Sequence, residues 1–127
     1  VSDPDAPAAL LEAARHLCQR PDPRTAGLWP RAAALLGRQA IEAALDIYWQ
    51  EGGVPAVIDC PMRTQLLCLA ELAGRELAGS VAASWGSLTG ACHIHPYDLA
   101  PTASELLGWM EAVEEFCRRP GSSPAQR

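Results

Sequence analysis

Pro30-Arg-Ala-Ala-Ala-Leu-Leu-Gly-Arg-Gln-Ala-Ile-Glu-Ala-Ala-Leu-Asp-Ile-Tyr-Trp-Gln50 reads as one long helix. Pro30 suits a first helical turn, where the missing N–H has no partner to lose. Gly52 and Gly53 stop the helix. With successive residues about 100° apart, Leu36, Ala40, Ala43 and Ile47 fall together, and Ile41, Leu45 and Tyr48 lie about a third of a turn or more away. Arg31, Arg38, Glu42 and Asp46 share the narrow polar arc that remains. A helix apolar around more than half its circumference touches several neighbours, so this segment is predicted to be the spine of a helical bundle.

Outward from the spine, proline and glycine cut the chain into helix-sized pieces, and nothing alternates as a strand would. Leu10, Ala14 and Leu17 predict a helix from about Ala6 to Gln19, started by Asp5 and stopped by the Arg20–Arg24 segment. Leu66, Ala70, Ala73, Leu77, Val81, Ser84 and Leu88 form one stripe from about Pro61 to Ala91. A break is expected near Gly79 or Gly86, because glycine weakens a helix. Thr102-Ala-Ser-Glu105 has the form of a capping box, in which each polar side chain satisfies the other's backbone amide. Leu106, Met110, Val113 and Cys117 line the helix after it, with Trp109 and Phe116 beside that face. The expected fold is all-α, an up-and-down bundle of four to five helices in one domain over residues 1–119. Residues 120–127, rich in Pro, Gly and Ser, are expected to form a disordered tail.

Composition narrows the function classes. The chain has 127 residues and is 49% apolar, enough for a core without disulfide or metal support. It contains no Lys and no Asn, which fits translation of a GC-rich bacterial genome. A net charge of −5 argues against broad, sequence-independent binding of nucleic acid, which needs a surface excess of cations. No apolar run is long enough to cross a membrane. The acidic start has neither the basic nor the apolar region of a signal peptide, so a cytoplasmic address is expected. Cys18, Cys60, Cys68, Cys92 and Cys117 are odd in number and irregular in spacing, as expected of free thiols acting as small hydrophobes. No Gly-rich phosphate loop or serine elbow appears, and no cofactor is expected.

Chemistry-bearing residues concentrate in Cys92-His-Ile-His-Pro-Tyr-Asp98, ahead of the last helix. A zinc site could start from Cys92, His93 and His95. Zinc needs four ligands, usually from paired motifs, and only half a motif is visible, so no metal is expected. Cys92 and His93 make a poor nucleophile and base, because adjacent helical side chains diverge by about 100°. The simpler reading is a helix C-terminus whose last carbonyls accept hydrogen bonds from imidazole. If the Arg31, Arg38 and Glu42 arc faces this loop, a polar pocket results; if it faces solvent, it is ordinary surface.

Arg38-Gln-Ala-Ile-Glu42 in a long Ala/Leu-rich helix resembles the early helix of HEPN domains. His95-Pro-Tyr97, after a long helix and before a final one, resembles that family's His-x-Tyr step. The similarity covers residues 28–118. It implies a dimerising helical domain, often an RNA-cleaving toxin or defence protein. In such members, an Arg-x(4–6)-His motif helps the RNA 2′-hydroxyl attack the adjacent phosphate without metal. Other members are inactive binding modules, often beside a nucleotidyltransferase.

This sequence departs from the motif. Counting back from His95 gives Leu88, Thr89 and Gly90, and no basic residue lies between Arg75 and His93. A phosphate clamp there has no resident guanidinium. The expectation is therefore a non-catalytic HEPN-like binding or regulatory module of a toxin–antitoxin or defence system. It would be homodimeric through an Ala/Gly-rich helical face, with His93, Asp98, Arg31 and Glu42 as binding residues. The alternative is a metal-independent endoribonuclease using His95, Tyr97 and Arg38, in which Arg38, Arg31 or Arg75 replaces the missing cation in space. A thiol or metal site at Cys92, His93 and His95 is a second alternative.

Overall fold

The computed structural model describes residues 3–19, 23–25, 27–94 and 97–118. Five α-helices pack as a bundle, and no strand occurs among the described residues. They are α1 (Ala6–Gln19), α2 (Trp29–Glu51), α3 (Met62–Ala73), α4 (Arg75–Cys92) and α5 (Ala103–Arg118). Short 3-10 turns at Pro23–Thr25 and Pro55–Asp59 flank α2. The expected tail, 120–127, lies outside the described residues. No helix among the described residues is long and apolar enough to cross a membrane.

The spine is where the sequence places it. α2 contacts α1, α4 and α5, and carries Ile41, Leu45 and Trp49, all essentially without solvent exposure. Within the broad apolar arc, which also buries Ala40, one side is buried more deeply than the other. Gly37, Ile41, Ala44, Leu45, Tyr48 and Trp49 are buried, whereas Leu36, Ala43 and Ile47 are only partly so. Small residues cause the asymmetry. Gly37 lets α2 come close to Leu88 of α4 and Met110 of α5, and a Cβ there would sit 3.3 Å from Leu88 Cδ1 and 3.4 Å from Met110 Cγ. Tyr48 meets Trp49 edge-on, with centroids 4.9 Å apart, and Phe116 at 5.8 Å. Such ring pairs add about 0.5–1.5 kcal/mol beyond their burial.

The helix break falls at Gly74, not at Gly79 or Gly86. Gly74 has φ +100° and ψ 155°, a conformation that residues with a Cβ rarely adopt. Gly79 and Gly86 stay helical, because Leu77, Ala78, Val81, Ser84 and Leu88 hold α4 against the core. The break also resets the helical phase. Continuing the α4 stripe backwards selects Leu66, Ala70 and Ala73, but the buried residues of α3 are Gln65 and Leu69.

The fifth helix starts as its sequence predicts. The Glu105 amide donates to Thr102 Oγ1 at 3.1 Å, and the Thr102 amide donates to Glu105 Oε1 at 3.1 Å. An ion pair between Arg15 and Glu114 ties α5 to α1. All five cysteines are free thiols.

Candidate functional site

The polar arc of α2 meets the C-terminal end of α4. Arg31 Nη2 donates to the Ile94 carbonyl at 2.7 Å, so a guanidinium satisfies the chain just past the helix end. His93 closes α4 through its own backbone, its N–H bonding to the Gly90 carbonyl at 3.1 Å. The juxtaposition that the sequence left open is therefore real: Arg31 and Arg38 border the segment that leads into the histidine loop.

Arg38 is held by Trp85 and Glu42. Its guanidinium carbon lies 4.7 Å from the centre of the Trp85 ring, within cation–π range. Its Nε is 3.5 Å from Glu42 Oε1, an ion pair one helical turn away. Its positive charge also acts on the Cys92 thiol. Burial pushes that thiol above its ordinary pKa, against the opposing pull of Arg38 and Arg31. Burial therefore prevails over both arginines, and Cys92 stays a protonated thiol at neutral pH. A protonated thiol is a poor nucleophile.

Beside this notch, Glu42, Asp46, Ile58, Met62, Gln65 and Trp85 enclose about 320 Å³. Burial raises the Asp46 pKa, and the negative charges of Glu42 and Asp59 raise it further. The neighbourhood of Arg38 is thus electrostatically mixed, with Glu42 beside it and Asp46 in the adjoining pocket.

None of the remaining predicted residues is buried among the described ones. His95 lies outside the described residues. Tyr97 is 91% exposed, and Asp98 and His93 are exposed as well. Among the described residues, no three His, Cys, Asp or Glu side chains come together as a metal site. Cys60 and Cys68 are not recruited to Cys92 in such a group. Arg75, another proposed substitute for the missing cation, begins α4 at the end opposite Cys92.

Two important residues carry no local mark in the sequence, or almost none. Trp85 is one apolar residue among many in α4, and nothing nearby identifies it as the platform for Arg38, 47 positions earlier. Gln65 is only 6% exposed. Its Oε1 accepts from the Trp49 indole at 2.9 Å, and its Nε2 donates to the Ile58 and Cys60 carbonyls at 3.2 and 2.9 Å. A polar residue at a core position is the one signal that could have found it.

Compared with known proteins, the chain matches no family model, no curated protein and no solved structure.

Proposed function

We propose that this chain is a non-catalytic, HEPN-like binding or regulatory module. One observation carries the reading: both α2 arginines near the histidine loop are engaged within the protein. Arg31 holds the Ile94 carbonyl, and Arg38 is held by Trp85 and Glu42. A transition-state clamp needs a guanidinium aimed at the phosphate, and the Glu42 carboxylate beside Arg38 opposes an incoming anion. Positions 88–90, where the family motif would put its arginine, hold Leu88, Thr89 and Gly90.

In this reading the module is a homodimer joined along the exposed edge of α4 that carries Ala83, Gly86 and Gly90. Extra Cβ atoms on those two glycines would meet nothing within 4 Å, so that edge is open to a second backbone. Light scattering is expected to give a dimer that Ala83→Arg disrupts. A wild-type monomer at micromolar concentration would remove this part of the proposal. The partner class follows from the family resemblance: a nucleotidyltransferase-type protein of a toxin–antitoxin or defence system.

A second reading has its own support. The 2.7 Å bond from Arg31 sets a guanidinium beside the backbone that leads into position 95. In a ribonuclease, Arg31 would steady the phosphate while His95 exchanged protons. Purified protein incubated with structured and single-stranded RNA, with and without EDTA, separates the two readings. The expected result is intact RNA. EDTA-resistant cleavage that disappears in both Arg31→Ala and His95→Ala would establish the enzyme instead.

A further inference from the structure

The side of the molecule built by α3 and α4 carries an open groove of about 440 Å³. Apart from Trp85, its lining lies outside the arginine notch, and the inference drawn from it does not rest on the function proposed for that notch. Its apolar wall includes Leu66, Leu67, Ala82 and Trp85. Leu67 is 64% exposed, one of the few large apolar side chains left in water. α3 packs on α4 and the Pro55–Asp59 turn, so its outer leucines have no covering element among the described residues. An uncovered leucine floor of this kind marks an interaction surface.

The charge around the groove is one-sided. Arg63 and Arg75 line it, and no carboxylate among the described residues does, in a chain with 15 acidic and 10 basic residues. Arg63 sits in the first turn of α3 and Arg75 opens α4 just past its end, so the two flank the helix, which rises roughly 15 Å from Arg63 to Ala73 at 1.5 Å per residue. That is about three helical turns. We propose that the groove docks an amphipathic helix of a partner protein whose apolar stripe is flanked by Asp or Glu near each end. The leucines and Trp85 take the stripe, and the arginines take the flanking carboxylates.

The test uses the full chain and two synthetic helical peptides with the same leucine stripe, one flanked by Glu and the other by Lys. Fluorescence anisotropy is expected to show the acidic peptide binding at least about tenfold more tightly, a preference that fades with added salt. Leu67→Asp is expected to abolish binding while leaving the circular dichroism spectrum unchanged, because the side chain is exposed. The double variant Arg63→Glu, Arg75→Glu is expected to reverse the peptide preference. Equal binding of the two peptides, no binding of either, or an unaffected Leu67→Asp variant would each overturn the proposal. So would light scattering in which Leu67→Asp splits a dimer, since the groove would then belong to a second copy.

Discussion

Gln65→Leu is expected to destabilise the fold by about 2–4 kcal/mol, despite placing an apolar residue in an apolar setting. The substitution removes the acceptor for the Trp49 indole N–H, and Trp49 is fully buried. It also removes the donor shared by the Ile58 and Cys60 carbonyls, which fixes the Pro55–Asp59 turn against α3. An unsatisfied buried donor costs about 1–3 kcal/mol, more than a formed hydrogen bond contributes. Urea denaturation measures the loss. Trp49→Phe takes away the donor instead, so the double variant should be more stable than the sum of the single changes predicts, by about 1 kcal/mol. Strict additivity would show that the two side chains are not coupled.

The second large effect belongs to Gly37. Gly37→Leu is expected to cost about 1–3 kcal/mol, and more if α2 must move away from α4 and α5. Leu88 and Met110, the side chains it would strike, are both fully buried and have no solvent to swing into. Gly37→Ala is the informative control. It gains up to about 1 kcal/mol in helix propensity, set against a Cβ at 3.3 Å from the flexible tip of Leu88. Near-neutral stability for alanine and a clear loss for leucine would locate the close approach at this residue. Wild-type stability of Gly37→Leu in thermal unfolding would show that the crossing has slack.

Features written in adjacent residues are legible without the fold. The Thr102 and Glu105 capping box, the Ala6–Gln19 helix and the extent of α2, within one residue at each end, all rest on local signals. The break at Gly74 is not legible, because several glycines in that stretch are locally equivalent and packing against distant helices decides which one leaves the helix. The buried face of α3 escapes periodicity for the same reason, since a stripe carried across a break loses its phase. In the candidate site, Arg31, Arg38 and Glu42 stand out as one polar arc. Their neighbours Ile94, Trp85 and Cys92 lie 47–63 residues further along the chain, beyond the reach of periodicity.

Trp85 has one further consequence. Its indole is both the seat of the Arg38 guanidinium and part of the wall of the α3–α4 groove. A helix seated in the groove that tilted this indole would change the electrostatic environment of the guanidinium on the other side, and by reciprocity an anion drawing Arg38 away would alter groove affinity by the same factor. A single side chain would then couple occupancy of one surface to the other.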